Sequence, residues 1–262
     1  MKLRLDKLLV ERGQVSSRER AQALILAGRV LVDEQRCDKP GTPVAETAVL
    51  RLLGDDLKFV GRGGLKLERA LTHWGIDVAG YDCMDIGTST GGFTDCMLQR
   101  GAVSVLGIDT GHGQIAEKLR TDVRVTLMER TNARLLTPYS LSAAVIGKEI
   151  RFLAMDVSFI SATLVLPAVL NALATEKAVW SGQAVLLIKP QFEAGREHVG
   201  KGGIVREQAA RQIAIDRVAQ SAHSLGGLRM KIIDSPIRGM EGNHEYLLRV
   251  HFGLPEDDID QL

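Results

Sequence analysis

At 262 residues the chain exceeds one small domain and falls short of three, which implies one large core with a small appendage. Apolar residues at 45% and charged residues at 25% exclude a disordered chain, a collagen and a disulfide miniprotein, and aromatics at 4% beside 27 glycines favour an α/β protein over an aromatic β-sandwich. The net charge of +1 is uneven: residues 1–66 hold 13 Lys/Arg against 9 Asp/Glu, so the front end is the basic end.

Leu5, Leu8, Leu9 and Val10 mark a short amphipathic helix that Gly13 stops. Ser16 and Ser17 are placed to cap a second helix, Arg18 to Ala27, which Gly28 ends. Val30–Val32 reads as a strand, Asp33 to Arg36 as a turn and Thr47 to Leu53 as another strand, giving a compact ααβ unit over residues 1–57. Arg4, Lys7, Arg18, Arg20 and Arg29 lie on or beside the helices, where they can neutralise successive phosphates and position an RNA without reading its bases, or else form a solvated face. Residues 58–64 read as a Gly-rich interdomain linker, with Arg62 a further candidate RNA contact.

From residue 65 to 253 strands and helices alternate, which predicts a parallel sheet covered on both faces, a seven-stranded Rossmann-like α/β domain. Its strands are expected at Asp82 to Ile86, Val103 to Ile108, Val123 to Met128, Phe152 to Asp156, Ala184 to Lys189, Met230 to Ile233 and Tyr246 to His251. Helices are expected over Phe93 to Arg100, Ile115 to Arg120, Ser161 to Ala174 and Arg206 to Leu225. Residues 157–175 run for 19 positions without a charge, close to a bilayer span, but hold Ser158, Ser161, Thr163, Pro167 and Asn171 and are flanked by Asp156 and Glu176, so a strand end and a packed helix are expected. Residues 254–262 form an acidic tail. Cys37, Cys83 and Cys96 show no metal-ligand spacing, and Asp6 and Glu11 interrupt the N-terminal apolar residues before a signal peptide could form, so a cytoplasmic chain without disulfides, metal or membrane span is expected.

Asp85 to Phe93, DIGTSTGGF, falls where the first strand of the sheet gives way to a helix. Gly87, Gly91 and Gly92 let the backbone approach a ligand and expose amides at the helix start. The spacing is neither GxGxxG nor a P-loop, and Asp85 before the first glycine suits a cationic, amino-acid-bearing nucleoside, for which S-adenosylmethionine fits. Asp109, 22 residues after Gly87, is placed to accept the ribose hydroxyls, and Asn132 in ERTNAR to contact an adenine edge, although Glu129 and Asn132 serve equally as helix caps. Phe93 completes the cofactor-binding set.

Four polar residues bear on what is methylated: Lys66 in GGLKLERAL, Asp156 in MDVSFIS, Lys189 in LLIKPQFE and Glu245 in GNHEYLL. Asp156 and Lys189 end strands, where open α/β sheets bind their ligands. The apolar run Val185–Ile188 and a neighbouring Lys66 are expected to favour a neutral Lys189 amine able to take a proton from a ribose 2′-hydroxyl, with Asp156 and Glu245 orienting the lysines. Each residue alone reads equally well as half of a structural ion pair. An exocyclic-amine methylase would show an Asn/Asp-Pro-Pro-aromatic motif where this chain has DVSF, and a pyrimidine carbon-five methylase would need a nucleophilic cysteine, whereas Cys96 lies in the wrong helix.

The segment from RLDKLL through SRERAQALI to GRVLVD resembles the small RNA-binding domain named after ribosomal protein S-four, and the Lys-Asp-Lys-Glu set resembles the tetrad of FtsJ-like ribose 2′-O-methyltransferases. With GRGGLKLERAL, DIGTSTGGFTD and GNHEYLL, the whole chain resembles the TlyA family of ribosomal RNA cytidine 2′-O-methyltransferases, some members of which are labelled haemolysins. The resemblance implies S-adenosylmethionine as cofactor, ribosomal RNA or its subunits as partner, and catalysis by Lys66, Asp156, Lys189 and Glu245. The linker departs from relatives that carry a tryptophan there, reading Lys58-Phe59-Val60. A membrane-active toxin, a non-catalytic assembly factor and a Rossmann dehydrogenase are the competing classes.

Overall fold

The structure is a computed structural model that describes residues 2–15, 17–53, 58–175, 178–239 and 242–253. Ser16, Leu57, Glu176 and the tail 254–262 lie outside the described residues. The chain divides into two compact units, Met1–Lys58 and Phe59–Leu262.

The first unit runs β1 (Lys2–Arg4), α1 (Leu5–Glu11), α2 (Arg18–Leu26), β2 (Val30–Val32), β3 (Gln35–Cys37), β4 (Pro43–Ala45) and β5 (Leu50–Leu52). Ser17 caps α2 by accepting the Arg20 amide. The turn expected over Asp33 to Arg36 is confined to Asp33 and Glu34, both at positive φ (48° and 64°), the geometry of a tight two-residue hairpin. Gln35–Cys37 therefore pairs back onto β2, and β3-β2-β5 form a small antiparallel sheet. Leu5, Leu8, Leu9, Ala21, Leu24, Ile25 and Val30 make its core. Buried among them is one charge: Asp6 accepts from Arg4 at 3.0 Å, Arg18 at 2.9 Å and Gln22 at 2.9 Å.

The second unit opens with Phe59, which is buried against Gly64. Residues 59–64 are thus packed into this unit rather than strung out ahead of it. There follow α3 (Gly63–Trp74), β6 (Asp82–Ile86), α4 (Gly92–Gln99), β7 (Ser104–Ile108), α5 (Glu117–Arg120), β8 (Val125–Met128), α6 (Pro138–Leu141), β9 (Ile150–Met155), α7 (Ala162–Leu173), β10 (Gly182–Ile188), α8 (Pro190–Glu193), α9 (Gln208–Ser224), β11 (Leu228–Asp234) and β12 (Tyr246–Phe252). The seven strands lie in the order β11-β12-β10-β9-β6-β7-β8. Alternate residues feed two cores: Met84 and Ile86 face α7 and α9, while Cys83 faces α3 and α4.

The sheet is not wholly parallel, as the alternating pattern had suggested. β12 inserts between β10 and β11 and runs antiparallel to both, so it enters the sheet where the parallel strands leave it. The uncharged run 157–175 resolves into a loop and α7, whose Val165, Leu166 and Val169 are buried in the first of these cores. Among the described residues no helix is long and apolar enough to cross a membrane.

The Arg4 hydrogen bond, opposed by burial, holds the Asp6 carboxyl well below the usual carboxylate range. A depressed carboxylate contributes stability above its ordinary pKa of about 3.9 and loses it on acidification below that value. Asp6→Asn is therefore expected to destabilise the protein at pH 7 and to do so progressively less as the pH is lowered from about 4 to 2. Thermal melts of both chains across that range check this.

Candidate active site

The four polar residues meet because of strand register. Ile86 pairs with Met155, so Gly87 and Asp156 emerge side by side, and the Asp156 amide donates to the Ile86 carbonyl at 2.8 Å. Leu186 also pairs with Met155, and on the other edge of β10 Ile188 faces Tyr246, a register that sets Lys189 opposite Glu245 one step beyond the pairing. The ammonium of Lys189 lies 2.6 Å from Asp156 Oδ1 and directs its hydrogen bond to Ser158 Oγ at 2.6 Å, leaving Asp156 Oδ1 without an aligned donor. Lys66, from the first turns of α3, donates to Glu245 Oε2 at 2.6 Å. Lys66, Lys189 and Glu245 are all more than 90% buried. A Cβ on Gly63, at the start of α3, would lie 3.9 Å from Asp156 Oδ2, so the α3 start and Asp156 are neighbours.

Buried ion pairs are poor stabilising devices, since desolvation offsets most of their attraction. Two of them at the ligand-binding end of one sheet point to chemistry there. Beside them Phe159 is 92% exposed at φ 64°, in ring contact with Phe192 at 5.6 Å between centroids.

The glycine turn is built for packing as much as for a ligand. A Cβ on Gly87 (φ 86°) would meet the Asp156 carbonyl at 2.3 Å, and one on Gly91 (φ 93°) would strike Leu119 at 2.3 Å. A Cβ on Gly92 would sit 2.8 Å from the Gly64 amide. Between Gly87 and Gly91, the exposed Ser89 at φ 49° and the buried Thr88 line a cleft with Asp109, Gly111, Gln114, Ile115, Leu127 and Glu129. Asp109 accepts the Ser89 amide at 2.7 Å and the Gly111 amide at 2.6 Å, and its carboxylate retains lone pairs for hydroxyl donors. Glu129 is held by Arg120, the Gly113 amide and His112. Asp85 is fully buried; Oδ2 accepts from Thr94 at 2.6 Å and Oδ1 has no partner. Burial, reinforced by Asp156 and Asp109 and resisted by Thr94, pushes its carboxyl up to about 7. A cleft lined by the Asp109 and Glu129 carboxylates, with the unpartnered Oδ1 of Asp85 buried nearby, suits the hydroxyls and cationic sulfur of a sulfonium nucleoside.

Three other candidate residues have their own protein partners or packing. Asn132 is exposed and caps a short 3₁₀ turn by accepting the Arg134 amide at 3.1 Å, outside the cleft lining; Phe93 is buried in the α3/α4 core. Arg62 donates to the Arg238 carbonyl at 3.1 Å. In the first unit Arg4 and Arg18 are bound to Asp6, Arg29 donates to the Leu53 carbonyl at 2.8 Å, Arg20 is half-buried and Lys7 is exposed. Ser89 and Ser158 were missed in the sequence, for a lone serine in a loop carries no spacing signal. Among the described residues no group of His, Cys, Asp and Glu is arranged to hold a metal ion.

The chain is similar to known proteins over nearly its whole length. The model of the FtsJ-like methyltransferase family matches residues 59–252, and that of the S4 domain residues 3–50. Bacillus subtilis YqxC, which carries an rRNA methyltransferase name, is 43% identical over 98% of this chain and 92% of its own length. The Mycobacterium tuberculosis 16S/23S rRNA (cytidine-2′-O)-methyltransferase TlyA is 42% identical over 94% of this chain and 88% of its own. A solved structure from Streptococcus thermophilus, described as a hemolysin, superposes with a TM-score of 0.72 at 41% identity, covering 96% of this chain and 88% of that one. Fold and matches together define an S-adenosylmethionine-dependent methyltransferase of the FtsJ-like class with an S4 RNA-binding domain in front. Within that class the chain belongs to the TlyA family.

A carboxyl whose pKa is raised on folding gives stability that is lost as pH climbs through the raised value. Asp85→Asn, which cannot ionise, is expected to raise the melting temperature relative to wild type at pH 8 and much less at pH 5.5, and to weaken S-adenosylmethionine binding at pH 8. Paired melts and calorimetry at the two pH values check both.

Proposed function

We propose that the chain transfers a methyl group from S-adenosylmethionine to the ribose 2′-hydroxyl of a cytidine in ribosomal RNA, of the small subunit, the large subunit or both. The observation that carries this reading is the Lys189 Nζ fixed between Asp156 and Ser158 at the strand ends, with the Lys66–Glu245 pair alongside. Thr88, Ser89, Asp85 and Asp109 are the residues we assign to hold the cofactor, which when bound supplies an electrophilic methyl group.

A ribose hydroxyl is a weak nucleophile until a base removes its proton as it attacks. In its neutral amine form Lys189 Nζ is the group placed to take that proton, and Asp156, 2.6 Å away, stabilises the ammonium that results. Ser158 fixes the direction of Nζ. Lys66, neutralised by Glu245, adds a second buried donor beside the reacting oxygen. The exposed ring of Phe159 offers a face on which the base of the target nucleotide can stack. The S4 unit supplies phosphate contacts, which set register and orientation and carry no base code. Lys7 is its most direct candidate, since Arg4 and Arg18 are partly engaged by Asp6.

Lys189→Ala is expected to lower the rate about 10²–10⁴-fold with RNA affinity little changed. Lys189→Arg should be nearly as poor, because a guanidinium keeps its proton. The product nucleotide should resist alkaline cleavage. A near-wild-type Lys189→Arg, or a methyl group mapped to the base, overturns the assignment.

RNA binding should weaken steeply with added salt, and Lys7→Ala should reduce the slope of log affinity against log salt by about one while leaving cofactor affinity unchanged. Filter binding over a salt series, with calorimetry for the cofactor, checks this.

A further inference from the structure

Glu193 belongs to none of the roles above, yet it is 2% exposed and both carboxylate oxygens are engaged. Oε1 accepts the Ala162 amide at 2.7 Å and Oε2 accepts the Ser161 hydroxyl. Its own carbonyl accepts from Arg217 of α9 at 2.6 Å. Ser161 already caps α7 through the Thr163 amide, so the helix start does not depend on an acid from elsewhere for its cap. Burying a carboxylate is costly, and burial pushes the Glu193 carboxyl above its ordinary range while Ser161 and Ala162 resist.

What the carboxylate joins explains its presence. Two five-residue segments leave the neighbouring parallel strands β9 and β10: 157–161, carrying Ser158, and 189–193, beginning with Lys189. They are tied at the near end by the Lys189–Ser158 hydrogen bond, midway by the Phe159–Phe192 ring contact and at the far end by Glu193. The first segment has no regular structure of its own and includes Phe159 at positive φ, a conformation that persists only where surroundings impose it. A charge-assisted bond to two donors is the stiffest tie available to this loop.

We propose that Glu193 is a positioning residue for methyl transfer, clamping the Ser158-bearing loop against the Lys189-bearing turn so that the lysine amine stays aimed. The proposal rests on Lys189 acting as proposed above, and it predicts a defect in turnover without one in binding. Misplacement of a reacting group by 1 Å can cost about 10²-fold, so for the looser tie left by Glu193→Gln we expect kcat about tenfold lower. The Michaelis constants for S-adenosylmethionine and ribosomal RNA should stay within about twofold of wild type, because neither ligand is assigned to Glu193. In a Ser158→Ala background, where the aim of Lys189 is already lost, Glu193→Gln should cost less than about twofold more.

The test is steady-state kinetics of the full chain for wild type, Glu193→Gln, Ser158→Ala and the double variant, each with a thermal melt. Ser161→Ala, which removes only the hydroxyl contact, is expected to lower kcat about threefold and decides the matter if Glu193→Gln gives no cooperative melt. An unchanged kcat in the folded variant, a loss shared equally by kcat and binding, or losses that multiply independently in the double variant would each overturn the role. Mapping the wild-type product separates the two claims: a methyl group found off the ribose refutes the proposed function, while the kinetic comparison still tests the clamp on whatever product forms.

Discussion

The direction of β12 governs everything at the strand ends. The six strands that run the same way can deliver only the residues that follow them to the ligand side. Because β12 runs the other way, the residue that precedes it arrives there too, and Glu245 reaches Lys66 and comes opposite Lys189. Had β12 been parallel, Glu245 would lie at the far end of the sheet and Lys66 would be an unpaired buried charge. The reversal thus allows two buried cations to coexist, each beside its own carboxylate.

The same economy shapes the first unit. A surface of arginines would repel itself and wander, and Asp6 prevents both by drawing Arg4 and Arg18 to one buried point. The cost is that these arginines are less available to phosphates than their exposure implies. A basic face of this kind is partly preorganised, which lowers the conformational entropy lost when a nucleic acid docks.

Much of this was legible in the sequence, and the failures have physical causes. The strands of the larger unit stand out as apolar runs between glycines, and their expected positions differ from the observed ones by only a few residues at either end. The polar edge strand Gln35–Cys37 was invisible because its register is set by the turn before it and its sequence lacks alternation. Strand direction was equally hidden, for a run such as Tyr246–Phe252 reads the same whichever way its neighbours point. Asp156 and Lys189 could be picked out by strand-end position, and Lys66 and Glu245 joined them through the resemblance to a known tetrad. The partners that hold them could not: Ser158 and Glu193 become meaningful only when two loops distant in sequence are brought alongside. Asn132 takes the local cap that its position offered equally with a ligand contact.

The glycine turn has a consequence for genetics. Gly87, Gly91 and Gly92 each exclude a side chain for a separate reason, namely the Asp156 carbonyl, the left-handed φ of 93° and the Gly64 amide. An allele altered at any of them would lose methylation because the strand-to-helix junction no longer closes, before any question of cofactor contact arises. Loss-of-function alleles collected in this motif therefore map the architecture of the junction, whereas alleles at Thr88, Ser89 and Asp109, which line the cleft, bear on the cofactor site proposed above.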